Sequence, residues 1–131
     1  ATGWNGERDL YLVNSDGTGE VRLTNTPDDE FLSCSAGCVA PNGRLIFGRV
    51  LAGGGQSDLY SINPDGSGEV VLANTADYEY AAGITASSRV IYIRDTGANQ
   101  YDLYSINADG SDLRILADTL DSETFAAIVS P

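Results

Sequence analysis

The chain of 131 residues contains no histidine, no methionine and no lysine; its seven basic residues are all arginine. Without histidine, neither a Ser-His-Asp triad nor a Cys-His pair can be assembled. The Gly-x-Ser-x-Gly turn that exposes a hydrolase nucleophile is also missing. Carboxylates are so abundant that pairs of them arise by chance and do not by themselves indicate glycoside hydrolysis. The sequence therefore reads as a non-enzyme. With 19 acidic residues and a net charge of −12, it lacks the basic face that nucleic acid requires and that anionic membranes attract. No run approaches the roughly 18 apolar residues of a membrane span. No stretch reads as a signal peptide and no initiating methionine is present, so a mature, processed or excised segment is expected. The hydrophobic share of 42% argues against disorder, and 15 glycines argue for many turns.

What is present is a repeat. Asp9-Leu10-Tyr11-Leu12-Val13-Asn14-Ser15-Asp16-Gly17 recurs 49 residues later as Asp58-Leu59-Tyr60-Ser61-Ile62-Asn63-Pro64-Asp65-Gly66. It recurs 44 residues after that as Asp102-Leu103-Tyr104-Ser105-Ile106-Asn107-Ala108-Asp109-Gly110. Leu23, Leu72 and Leu116 are equivalent, as are Thr26, Thr75 and Thr119. Arg44-Leu45-Ile46-Phe47 matches Arg89-Val90-Ile91-Tyr92. Each unit predicts four short strands of β-branched and aromatic residues with turn residues between them. The first is expected at Cys38–Ala40 and Gly83–Thr85, the second at Leu45–Arg49 and Val90–Arg94. The third covers the Asp-Leu-Tyr words, and the fourth Val21–Leu23, Val70–Leu72 and Arg114–Leu116. No sustained 3.6-residue period predicts a helix.

A period near 45 residues with four strands predicts an all-β, β-propeller-type fold of four-stranded antiparallel blades. Residues 1–26 supply strands three and four of one blade, 27–75 a second unit and 76–119 a third. Residues 120–131 supply the first strand of a further blade, giving about 2.75 blades in all. The Asp-Leu-Tyr-x-x-Asn-x-Asp-Gly words, Arg22-Leu23-Thr24-Asn25-Thr26-Pro27-Asp28-Asp29 and Ala40-Pro41-Asn42-Gly43-Arg44-Leu45-Ile46-Phe47 together resemble the WD40-like (PD40) repeats of the TolB type. That resemblance implies the propeller fold, in a family that includes partner-binding propellers, peptidase gating domains and surface proteins, and an extracellular, cell-surface or periplasmic setting is expected. The sequence departs from it in lacking the aromatic usually found before Ser-Pro and, at Ala86-Ser87-Ser88, the Pro-Asp-Gly turn, so looser or smaller inner-strand packing is expected.

Closed propellers use four to eight blades. Open sheet edges would pair with another chain, either closing a two-fold ring or adding head to tail as a fibre. Further repeats of a longer protein would serve equally. The expected function is a non-enzymatic scaffold whose partners are copies of itself or further repeats. The alternatives are a Ca²⁺- or glycan-binding propeller and an accessory region of a larger secreted hydrolase.

Three sets of residues stand out. Asp16-Gly17, Asp65-Gly66 and Asp109-Gly110 are expected as hairpin turns between strands three and four, because such turns need positive φ. Asp28, Asp77 and Asp121, with Glu30, Glu79 and Glu123, would fall at equivalent places after each fourth strand. No cofactor is required, but oxygen ligands gathered this way would suit Ca²⁺; otherwise the Asp accepts loop hydrogen bonds and the Glu is solvated. Cys34 and Cys38 would lie roughly 13 Å apart on a straight strand, too far for a disulfide. A loop bent at Gly37 brings them within reach, and a disulfide formed in an oxidising compartment is expected in preference to two buried thiols. Tyr11, Tyr60 and Tyr104 are expected in inter-blade packing, and Trp4, Tyr78, Tyr80 and Tyr101 as candidates for stacking on sugar rings.

Overall fold

Short runs rich in Val, Ile, Leu and Tyr, separated by Asn, Asp and Gly, form ten strands in the computed structural model, which describes residues 8–32, 38–51, 55–97 and 100–120. Tyr11–Leu12 (β1) pairs with Val21–Arg22 (β2). Asp29–Phe31 (β3), Leu45–Val50 (β4), Ser57–Ile62 (β5) and Val70–Ala73 (β6) form one four-stranded antiparallel sheet. Tyr78–Ile84 (β7), Arg89–Gly97 (β8), Gln100–Asn107 (β9) and Arg114–Leu120 (β10) form another. In both, each strand pairs with its neighbour in sequence, the up-and-down order of a propeller blade. The fold is all-β and propeller-type, with no helix among the described residues. Leu120, expected to open a further blade, instead ends β10, and the rest of the strand expected within 120–131 lies outside those residues.

The first strand of the second and third units starts upstream of its expected place, and in the third it runs on through the expected Gly83 and Ile84. In the second unit it is Asp29–Phe31; Val39 forms only an isolated bridge to Leu45. In the third unit the strand begins at Tyr78, not Gly83. A charged residue at the centre of Asp29-Glu30-Phe31 and of Tyr78-Glu79-Tyr80 reads locally as loop. Partners from other strands allow it inside a sheet.

The cores lie between sheets, and the two-residue alternation of a strand decides which core each side chain joins. Leu45 and Phe47 on β4, with Tyr60 and Ile62 on β5, meet Leu10 and Leu23 of the first sheet. Ile46 and Leu59 point the other way and join Leu72, Ala81, Val90, Tyr92, Tyr104 and Ile106 in the core shared with the third sheet. The middle sheet is therefore buried on both faces. Of the repeated tyrosines, Tyr60 and Tyr104 lie in these cores between sheets, as expected, and each also stacks on its register partner on the neighbouring strand, Tyr60 on Phe47 and Tyr104 on Tyr92. Tyr11, on the two-stranded sheet, is exposed.

The Asp-Gly turns are alike. Gly17, Gly66 and Gly110 have φ of 85°, 86° and 88°, and each donates its N–H to the Asn three residues earlier at 2.8–2.9 Å. The Asp carboxylate accepts from the backbone of residue +2, as in Thr18 to Asp16 at 3.0 Å. The turn at Ser88 is preserved despite the loss of its Pro-x-Gly signature. Ser88 takes φ 63° where Gly43 takes 92°, its N–H reaches Thr85 O at 3.0 Å, and its hydroxyl accepts from Asn42 N at 2.9 Å.

Candidate functional site

Where one sheet meets the next, the inner strand of the later sheet brings a glutamate against the third strand of the earlier one. At the first junction that glutamate is Glu30, on β3, and it is 1% exposed. Thr24 donates its hydroxyl to Glu30 Oε2 at 3.1 Å, Thr26 donates to Oε1, and Arg49 Nε donates to Oε1 at 2.8 Å. Arg49 also forks onto Glu69 at 2.7 and 3.0 Å and lies over the ring of Tyr60. Burial alone would lower the Arg49 pKa, but hydrogen bonds to Glu69 and Glu30 raise it overall and hold the charge in place. Asp9 completes this junction: it is paired with Arg22 and accepts from Thr26 N at 3.2 Å. Burial opposes ionisation of Asp9, yet the Arg22 and Thr26 bonds outweigh it and hold its pKa low.

The second junction has the same frame and different charges. Glu79 on β7 is again 1% exposed, and its partner Asp58 on β5 is 5% exposed. Three substitutions between equivalent positions remove the compensation: Val71 stands where Arg22 is, Ala73 where Thr24 is, and Leu113 where Glu69 is. Thr75 still donates to Glu79 Oε1. Arg94, opposite Glu79 in the β7–β8 register as Arg49 is opposite Glu30, turns away. Its Nη2 donates to Asp102 at 3.0 Å, and its Nε lies 3.6 Å from Asp77. Among the described residues, Glu79 Oε2 and Arg94 Nε are the buried side-chain polar atoms left without a hydrogen bond. Burial raises the pKa of Asp58, with the Glu79 contact acting against it. Burial likewise raises that of Glu79, opposed by Thr75 and reinforced by the Asp58 charge.

The acidic set expected from the repeat is therefore divided. Glu30 and Glu79 are not solvated: they sit on inner strands, buried between sheets. Asp28 and Asp77 are half-buried at the mouths of the loops, and each donates its own N–H at 3.1 Å to the Thr two residues earlier. The loop acceptor is thus the threonine. Among the described residues no three of Asp, Glu, Cys and His converge in a way that could hold a metal ion. Asp121 and Glu123 lie outside the described residues. So does Cys34; Cys38 is buried and disulfide-bonded. Tyr78 and Tyr80 are exposed on one face of β7, 52% and 38%, and Tyr101 is half-buried on β9; Trp4 lies outside the described residues. Asp9, Asp58, Thr24, Arg49 and Arg94 went unremarked as site residues in the sequence. For the charged ones the signal was available: three units repeat an acid at the start of the third strand, and the two units with a second strand end it in arginine, whereas Thr24 does not recur.

No family model and no curated protein sequence matches the chain. Its fold is similar to the solved structure of a protein assigned as TolB from Agrobacterium tumefaciens, with a TM-score of 0.54 at 18% sequence identity. The likeness covers 84% of this chain and 41% of that one, so the chain spans less than half the length of the protein it resembles.

Proposed function

We propose that the chain is a non-enzymatic propeller segment that works as a protein-interaction module, completed by another blade of its own kind from a second copy. One observation carries this reading. Leu23 and Leu72 are each 6% exposed, covered by the next sheet, whereas the equivalent Leu116 is 50% exposed. Tyr78 and Tyr80 add exposed aromatic area to the third sheet. An apolar face whose two counterparts are each buried by a blade has the shape and chemistry to receive a blade. The bonded state of Cys38 favours an oxidising compartment, outside the cell or in a periplasm.

The test is the solution mass of the 131-residue chain and of its Leu116→Asp variant, by light scattering and native mass spectrometry, with electron micrographs. A discrete dimer or a polymer that the variant reduces to folded monomers supports the proposal. A folded wild-type monomer at high micromolar concentration overturns self-association. A second reading rests on Tyr78 and Tyr80, which could stack on sugar rings. Assembly would bury them, so glycan-array binding by an assembled chain would require the tyrosines to be elsewhere.

A further inference from the structure

We propose that Asp58 and Glu79 hold one proton between them and form an acid-stabilised latch joining the two four-stranded sheets. The two residues come from β5 and β7, which pack directly against each other across that junction. Both carboxyls are buried there, 5% and 1% exposed, Glu79 Oε2 has no hydrogen-bond partner, and the Asp58 charge acts on Glu79. Two buried carboxylates in contact cannot both ionise without a cation or a proton between them.

The surrounding charges do not supply the cation. From β4, Arg49 is the register partner of Asp58, but its donors go to Glu30 and Glu69. From β8, Arg94 turns away from Glu79 toward Asp102 and Asp77, and its Nε makes no hydrogen bond. From β6, Val71 replaces the arginine that neutralises Asp9 in the first junction. Thr75 donates to Oε1 of Glu79, leaving Oε2 unpartnered. The Tyr92 hydroxyl, pushed up to about 12 mainly by burial, stays neutral beside Glu79 over the range in question. A proton on the pair satisfies Oε2 and removes the repulsion. Its loss leaves two adjacent buried anions between sheets held otherwise by apolar contacts and by bonds such as Ser57 Oγ to Glu79 O at 3.0 Å. Because burial raises both carboxyls, their stabilising contribution is fully present below the unfolded carboxyl range and is lost as pH rises through the folded one.

The deciding experiment is a carbon NMR titration of the Asp58 and Glu79 carboxyls in the intact chain. The expected result is a shared, biphasic titration with its later step above the ordinary carboxylate range of roughly 3.9–4.3. Independent titration of both groups within that range overturns the proposal. In parallel, thermal melts of Asp58→Asn and Glu79→Gln should exceed the wild type by an upward Tm shift that grows with pH. Glu30→Gln, whose carboxylate already has a cation, should show no such growth. Melting curves that run parallel to wild type at every pH would also overturn it. If either variant fails to fold, the titration of the unaltered chain still decides.

Discussion

Arg49 and Glu30 form an ion pair, Nε to Oε1 at 2.8 Å, whose side chains are 7% and 0% exposed. A charge buried to this degree is tolerated only when paired and hydrogen-bonded, and the neighbouring threonines and Glu69 meet that requirement. The pair therefore joins the two inner strands of one sheet, while Thr24 and Thr26 tie the same glutamate to the end of the first unit.

Removing one partner should be severe. Arg49→Leu leaves Glu30 buried without its cation and is expected to cost about 3–5 kcal/mol. The double variant Arg49→Leu, Glu30→Leu should cost less than the single one, because no uncompensated charge remains. Urea denaturation of the four members of the cycle measures the coupling.

The glycines of the Asp-Gly turns are not equal. A Cβ at Gly17 would meet nothing within 4 Å, whereas one at Gly110 would come within 2.6 Å of Val70 Cγ1. Gly17→Ala should therefore cost only the left-handed backbone penalty of about 1–2 kcal/mol. Gly110→Ala should cost about 1–3 kcal/mol more by forcing β6 aside. Val70→Ala in the Gly110→Ala background should recover part of that excess, read from denaturation midpoints.

The same turns contribute to the acid sensitivity of the fold. Side-chain and backbone hydrogen bonds from Thr18, Ser67 and Ser111 hold the carboxyls of Asp16, Asp65 and Asp109 below the usual range. Groups lowered in the folded state contribute stability above their unfolded pKa, and it is lost as pH falls through the folded one. Tm should therefore fall on acidification below about pH 4. The Asp16→Asn, Asp65→Asn, Asp109→Asn variant should fall less steeply. The Asp58–Glu79 pair acts in the opposite direction and at higher pH, so the two effects separate along one Tm-versus-pH curve.

Repetition in the sequence determined the units, the four-strand pattern and the Asp-Gly turns, because each is a local choice made by neighbouring residues. Gly66 needs positive φ whatever packs near it, and Leu45-Ile46-Phe47 reads as a strand from its composition. Tertiary structure alone decided the fate of the charges. Glu30 and Glu79 occupy equivalent places in the sequence, yet one is neutralised by Arg49 and the other is not. The difference arises from Val71, Ala73 and Leu113, on other strands, and from Arg94 turning toward Asp102. Likewise Leu23, Leu72 and Leu116 are one residue type at one repeat position, and only the packing of sheet on sheet makes two of them core and leaves the third exposed. A period names the strand a residue occupies, but burial and ion pairing are fixed by what the neighbouring blade brings to it.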